Sequence, residues 1–205
     1  IGRVTSPFFS VEDLDGGIRR LTLQRAPVNA LNPAFLDALC EEYRKVAQND
    51  SIRALIICSA QKVLSAGLDL KEAQGFDLQD QNEIVRGLNE SFLQLYSLPK
   101  PTIVAVNGAA IAGGFFFVLS SDFRIAVPKA SFGLAEVRVG ATLPVGPFEI
   151  AQAELAPPVF RRLLLSGQPV MAPEAQRLGI VDEICASQSV GASGCAQNQS
   201  TAGRL

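Results

Sequence analysis

The chain contains no histidine. That removes His-based triads, His metal ligands and His general bases, so proton transfer falls to Asp, Glu, Lys, Tyr or Cys. The residues best placed to do chemistry lie in one stretch, 101–126, reading PTIVAVNGAAIAGGFFFVLSSDFRIA. A β-branched run from Thr102 to Val106 breaks at Asn107-Gly108, passes through small residues and reaches Gly113-Gly114. An apolar helical segment then runs toward Ser121-Asp122. Backbone N–H groups at such a helix start are unpaired and attract negative charge. The stretch reads as an oxyanion or phosphate site, or as a tight strand-to-helix turn. The four cysteines, Cys40, Cys58, Cys185 and Cys195, show no CxxC spacing. Cys40 and Cys58 fall inside apolar elements and read as small buried hydrophobes, so neither a disulfide nor a metal site is expected.

The flanking sequence supplies the elements that must hold this stretch. Phe8 to Glu12 and Ile18 to Leu23 read as a hairpin around Asp15-Gly16-Gly17. Asn32-Pro33 is a helix start, and Phe35, Leu36, Leu39, Tyr43 and Val46 form its apolar face. Arg53 to Cys58 is a continuous apolar run, as in a strand buried on both sides. Ser65 to Leu70 is a loop leading into a short helical piece, and 75–81 reads as polar and irregular. Ile84 to Leu98 has helical spacing and stops at Pro99 and Pro101. Further strands are expected at Phe123 to Val127, Ser131 to Gly133 and Ile180 to Ile184. Helices are expected at Glu149 to Leu155, Val159 to Leu165 and Pro173 to Leu178. Strands alternating with helices give an α/β fold. Residues 186–205, rich in Ser, Gly, Ala and Gln, read as a flexible tail beyond a domain spanning 1–185.

Composition narrows the partners. The 205 residues are 48% hydrophobic and 19% charged, with a formal net charge of −2, enough to bury a core. No basic cluster interleaved with aromatics is present, so no nucleic acid is expected as partner. No apolar run reaches membrane-spanning length, so no membrane is expected either.

Three pieces taken together resemble the crotonase superfamily, the enoyl-CoA hydratase/isomerase group: SAGLDL at 65–70, NGAAIAGG at 107–114 and SFGLAEVRVG at 131–140. RAPVNALN at 25–32, LPKPTIVAVNG at 98–108 and APEAQRLGIVDEI at 172–184 support it in the right order. The resemblance implies a spiral of ββα units and a site for acyl-CoA thioesters, with coenzyme A as part of the substrate and no separate cofactor. It implies that the N–H groups of Leu68 and Gly113 hold the thioester oxygen as it becomes an enolate. Donors of this kind are worth a few kcal/mol in the barrier. It also implies coenzyme A contacts from the backbone of Ser65 and Ala66 and from Asp69, with Arg25 and Asn29 nearby; Arg25 reads either as a phosphate contact or as a solvated loop charge. A homo-oligomer, a trimer or hexamer, is expected on the same ground. The expected location is cytoplasmic, with a mitochondrial or peroxisomal one left open because a removed targeting segment leaves no trace.

Two departures from the family pattern bear on the chemistry. Hydratases of the family carry one glutamate three residues after the oxyanion-hole glycine and another after the SFG strand. Here those positions are Phe116 and Glu136. An apolar ring cannot hold and activate water, whereas one glutamate suffices to move a proton between two carbons. The pattern resembles the isomerases that convert 3-enoyl-CoA to 2-enoyl-CoA, with Glu136 as the shuttle and Phe115, Phe116 and Phe117 keeping its surroundings dry. A hydratase using a displaced second acid (Asp69, Glu149 or Glu154) and a non-catalytic acyl-CoA binding or assembly subunit are the alternatives. The second departure is that family members continue past the GIVDEI segment with further helices, which the 186–205 sequence does not resemble.

Overall fold

The computed structural model describes residues 4–185. The tail reading, Cys195 and any helices beyond Ile184 lie outside the described residues. Ten strands and seven helices follow in chain order. They are β1 (Val4–Thr5), β2 (Phe9–Leu14), β3 (Ile18–Leu23), α1 (Pro33–Gln48), β4 (Ala54–Ser59), α2 (Leu70–Ala73), α3 (Leu78–Tyr96), β5 (Thr102–Val106), β6 (Ala109–Ile111), α4 (Phe116–Leu119), β7 (Phe123–Ala126), β8 (Ser131–Gly133), α5 (Val145–Glu154), α6 (Pro157–Ser166), β9 (Val170–Met171), α7 (Ala172–Arg177) and β10 (Glu183–Ile184). Two 3₁₀ turns, Ala112–Phe115 and Glu136–Val139, interrupt the series.

The expected hairpin forms, with Phe9 opposite Leu23 and Leu14 opposite Ile18. From β3 onward the large sheet is parallel, in the order β1-β2-β3-β4-β5-β7-β10. Parallel neighbours require crossovers. The first is α1, whose cap is the one expected: Asn32 Oδ1 accepts from Phe35 N at 2.9 Å, and Pro33 opens the helix. Its apolar face, Phe35, Leu36, Leu39, Tyr43 and Val46, is fully buried. Each such side chain contributes about 1.5–3 kcal/mol of transfer free energy, so packing rather than intrinsic propensity holds α1 in place. β4 is buried along its whole length, as its continuous apolar run requires.

Strands then come in consecutive pairs. β5 leads directly into β6, and β7 leads into β8; the second strand of each pair joins a small sheet ordered β6-β8-β9. This is the repeating step of the ββα spiral. The β5–β6 bend uses Gly108, where a Cβ would lie 2.2 Å from Lys62 O. Asn107 Nδ2 ties the bend to Gln61 O at 2.6 Å.

Some elements differ from the sequence reading. α3 begins at Leu78, not Ile84, because Asp77 and Asp80 form a reciprocal capping box. The polar look of 75–81 is the look of an exposed first turn. β6 was hidden in a run of small residues. α5 starts at Val145 and α6 takes in Pro157 and Pro158 as its first turn, where the missing N–H costs nothing. β10 is only Glu183–Ile184, paired in parallel with Ile125 and Ala126. Among the described residues Cys40 and Cys58 are buried and Cys185 is half-buried, and none of the three is in a disulfide.

The small sheet meets the 64–69 loop at close range. Ser65 forms a parallel bridge with Ala110, and the Gly114 backbone lies against Ser65, where a Cβ would come within 2.3 Å of Ser65 O. A side chain there must push two backbones apart. Gly114→Ala is expected to cost about 1–3 kcal/mol, read as a lower midpoint in chemical denaturation. Gly75→Ala, whose Cβ would meet nothing nearer than 3.6 Å, serves as the near-neutral control. Equal midpoints for the two variants would show that this contact does not constrain the fold.

Candidate active site

Four chain segments run side by side and empty into one cleft. Leu31 bridges Leu68, Ser65 bridges Ala110, and β6 pairs with β8 so that Ile111 faces Gly133. All three pairings are parallel, so the residues just beyond them emerge at the same end: Leu68, Ala112-Gly113 and Ala135-Glu136. That end opens into a cleft of about 720 Å³, open to solvent and lined by Ala66, Leu68, Leu70, Leu88, Ile111, Ala112, Gly113, Phe116, Ala135, Glu136, Val139, Ala141, Thr142, Leu143, Pro144 and Pro147. Its apolar lining suits a small-molecule site.

Leu68 and Gly113 both line this cleft. Ala66 N donates to Val28 O at 3.0 Å. In a regular strand Leu68 N–H would point the same way, two residues on. Gly67, at φ +86°, breaks that alternation. Gly67 O then accepts from Leu31 N at 2.7 Å and Asp69 N donates to Leu31 O at 2.9 Å. The Leu68 N–H is turned away from Leu31, toward the Gly113 side. Only glycine fits at 67: its φ is left-handed, and a Cβ would lie 2.9 Å from Ala112 Cβ and 3.1 Å from Gly113 N. Gly113 sits in the first turn of its 3₁₀ segment, where N–H groups have no partner within the turn. Among the described residues, neither Leu68 N–H nor Gly113 N–H donates to a loop carbonyl or a side chain. The residue before Gly113, Ala112, has φ +51°, a costly conformation for alanine that the packing around it maintains.

Glu136 opens the 3₁₀ turn after β8. Burial pushes its carboxyl above the usual glutamate value, opposed in part by its own backbone N–H. Its Oε2 is buried and has no hydrogen-bond partner among the described residues. Desolvation of this kind favours the neutral acid and makes the anion a stronger base. The other candidate acids lie elsewhere. Asp69 caps α2 through Lys71 N and Glu72 N and pairs with Arg25. Glu154 pairs with Arg124 and accepts from Tyr96 Oη. Glu149 is exposed on α5 and does not line the cleft. Among the described residues Glu136 is the one carboxylate in the cleft lining.

Phe116 lines the cleft beside Gly113, one turn on, as its spacing predicts. Phe115 and Phe117 do not. Phe115 packs on Phe132, with ring centres 6.0 Å apart, and Phe117 meets Phe92 edge-on at 5.2 Å. The apolar wall of the cleft comes instead from Leu70, Leu88, Ile111, Val139 and Leu143, which carried no signal in sequence because they read as ordinary apolar residues.

The residues expected to touch coenzyme A divide. Ala66 is exposed and lines the cleft, and Asp69 is half-buried at its edge. Ser65 and Asn29 are fully buried, so a direct ligand contact from either is corrected to a supporting role. Ser65 Oγ donates to Asn29 O at 2.8 Å and accepts from Gly67 N at 3.2 Å. Asn29 Nδ2 donates to Ser59 Oγ and Leu64 O, both at 2.8 Å. Arg25 is engaged with Ala30 O, Asp69 and Glu72. No cluster of three or more His, Cys, Asp or Glu placed to hold a metal occurs among the described residues. No helix among them is long and apolar enough to cross a membrane.

Comparison with known proteins identifies the family. The family model for enoyl-CoA hydratase/isomerase matches residues 13–200. A carnitinyl-CoA dehydratase of Salmonella arizonae is 33% identical over 171 residues, 83% of this chain and 65% of that relative. The chain thus spans just under two thirds of that protein's length. A carnitinyl-CoA dehydratase of Citrobacter koseri is 31% identical over 176 residues, 85% of this chain and 67% of the relative. The crystal structure of an enoyl-CoA hydratase from Mycobacterium smegmatis superposes with a TM-score of 0.88 at 26% identity, covering 98% of this chain and 77% of that one. An enoyl-CoA hydratase from Bacillus anthracis superposes at 0.87 with 25% identity, covering 95% of this chain and 76% of the other. With the fold and the family match over 13–200 in agreement, the chain belongs to the enoyl-CoA hydratase/isomerase, or crotonase, family.

Proposed function

We infer that the protein is an acyl-CoA enzyme that isomerises 3-enoyl-CoA to 2-enoyl-CoA. The observation that carries this reading is a cleft with two free amides and, among its described lining residues, a single carboxylate. The thioester oxygen sits between the N–H groups of Leu68 and Gly113. The Glu136 carboxylate takes a proton from C2, breaking that C–H bond. The electron pair spreads over a dienolate whose negative oxygen the two amides hold. Glu136 then returns the same proton to C4, and the double bond ends between C2 and C3. Nothing is gained or lost, so no redox partner or water is needed. An apolar cleft supports the scheme, because fixed donors act more strongly where water is excluded, and a carboxyl with a raised pKa is a better base. Coenzyme A enters as part of the substrate, and a homo-oligomer is expected from the family resemblance.

A second reading is favoured by the relatives, which are named dehydratase and hydratase: addition or removal of water across the 2-enoyl double bond. It requires a group that holds the water. Phe116 occupies the place where hydratases of the family carry that glutamate.

The two readings separate in one ultraviolet assay run with 3-enoyl-CoA and 2-enoyl-CoA side by side. Growth of the conjugated thioester absorbance from 3-enoyl-CoA, with 2-enoyl-CoA left unhydrated, is expected. Glu136→Gln should lower the isomerisation rate by about 10²–10⁴-fold. A full rate in Glu136→Gln, or loss of the 2-enoyl absorbance to water addition, would overturn the isomerase reading.

The raised carboxyl also makes a prediction about stability. The folded chain holds the Glu136 proton more tightly than the unfolded chain does. Stability therefore falls as pH rises from the usual glutamate value of 4.5 to the raised folded value, and the penalty stays constant above it. Glu136→Gln removes this penalty, so its melting temperature relative to the parent should be higher at pH 7.5 than at pH 4. A difference that does not change with pH would show that the carboxyl is not desolvated in solution.

A further inference from the structure

The oxyanion-hole reading leaves one charged group without a role. Arg25 lies on the 25–32 loop, ahead of α1, and does not line the cleft. Its Nη1 donates to Ala30 O at 2.5 Å. Its Nη2 lies 3.1 Å from Asp69 Oδ2 and 3.1 Å from Glu72 Oε2. The Arg25 and Asp69 side chains are each only 23% exposed, so this is a partly shielded network rather than a lone surface pair, and it holds geometry more firmly. Glu72 is held from its other side as well, by Asn32 Nδ2 at 3.0 Å to both carboxylate oxygens. Asn32 is the cap of α1. One guanidinium therefore grips both ends of α2, the one-turn helix that begins directly after Leu68-Asp69, and ties it to the loop bearing Leu31.

We propose that Arg25 is a positioning residue for the Leu68 amide. It fixes Asp69 and Glu72 against the 25–32 loop, and so holds the 67–68 peptide in the orientation that turns Leu68 N–H into the cleft. The bridge to Leu31 sets that orientation. Without the clamp, the bridge has a mobile α2 at its far side. Oxyanion stabilisation is steep in donor placement, and a misplacement of about 1 Å can cost about a hundredfold. The inference rests on the oxyanion-hole reading above and replaces the expectation that Arg25 binds a coenzyme A phosphate: three acceptors already occupy its guanidinium, two of them carboxylates that repel an incoming phosphate.

The test uses Arg25→Ala, Arg25→Lys and Glu72→Ala in the full chain. It measures steady-state kinetics with 3-enoyl-CoA and with the same acyl group on N-acetylcysteamine, which lacks all phosphates. It also records the thioester carbonyl stretch of bound, unreactive butanoyl-CoA by infrared difference spectroscopy. Arg25→Ala and Glu72→Ala are expected to lower kcat at least about tenfold on both substrates with KM within about twofold. Both should lose most of the downward shift of the carbonyl stretch. Arg25→Lys, which keeps one cation against the two carboxylates, should recover part of each. Should Arg25→Ala not fold, Glu72→Ala and Arg25→Lys carry the test. A phosphate-binding Arg25 would instead raise KM for the coenzyme A ester alone, leave the truncated ester and the carbonyl shift unchanged, and leave Glu72→Ala silent; that overturns the proposal. A carbonyl stretch that does not shift in the parent protein overturns the oxyanion-hole reading itself, and this inference with it. A shift retained in full by Arg25→Ala and Glu72→Ala overturns the inference alone.

Discussion

The cleft depends on one short backbone bridge. Leu31 gives and takes a hydrogen bond with the residues on either side of Leu68, and that pairing decides which way the Leu68 amide points. The bridge works only because Gly67 adopts a left-handed conformation closed to other residues, and because Leu31 is fixed in turn. Its side chain is fully buried beneath Gly113, where a Cβ would come within 3.0 Å of Leu31 Cδ1. The same residue thus orients one amide through its backbone and supports the other through its side chain. Parallel pairing carries the arrangement onward: because Ser65 meets Ala110 and Ile111 meets Gly133, the chain ends that follow converge without a dedicated scaffold.

Burial serves the site at a cost to the fold. Glu136 has a carboxylate oxygen with no partner among the described residues, and such a group loses its hydration without compensation. Proteins tolerate that loss where the proton equilibrium is the purpose. The surrounding packing offsets it. Phe92 stands at the centre, with Phe116 at 5.6 Å and Phe117 at 5.2 Å, linking α3 to α4. The apolar cleft wall is therefore continuous with the main core.

Much of this was legible in the sequence, for definite reasons. The hairpin, α1 with its Asn32-Pro33 start, and β4 announce themselves through local rules, namely turn chemistry, capping and apolar periodicity. The glycines at 67, 113 and 114 were legible because backbone approach this close admits nothing larger. What was not legible depends on contacts between distant segments. The one-turn spacing from Gly113 points Phe116 to the cleft, but that Phe115 and Phe117 pack away from it depends on Phe132 and Phe92, which lie elsewhere in the chain. Asn29 and Ser65 look like polar loop residues available to a ligand, yet both are fully buried, with Ser65 Oγ donating to Asn29 O and Asn29 Nδ2 donating to Ser59 Oγ and Leu64 O. Arg25 looked like a solvated charge until its carboxylate partners, 44 and 47 positions away, came beside it. The start of α3 was missed for a different reason: an aspartate pair at cap spacing resembles a loop unless the reciprocal bonds are recognised.

The aromatic at position 116 bears on how such a site can change its chemistry. Where relatives of the hydratase type place a second glutamate, this chain places a ring that is 1% exposed and packed on Phe92. A carboxylate at that point would sit against the Phe92 ring. Its burial unpaired would cost several kcal/mol, and removing the ring would open a void beside Phe92. Restoring a water-holding acid would therefore require Phe92 and the α3–α4 contact to change with it. The ring at 116 is therefore held by the core packing as well as by its place on the cleft wall, and any change there couples the cleft to the stability of the fold.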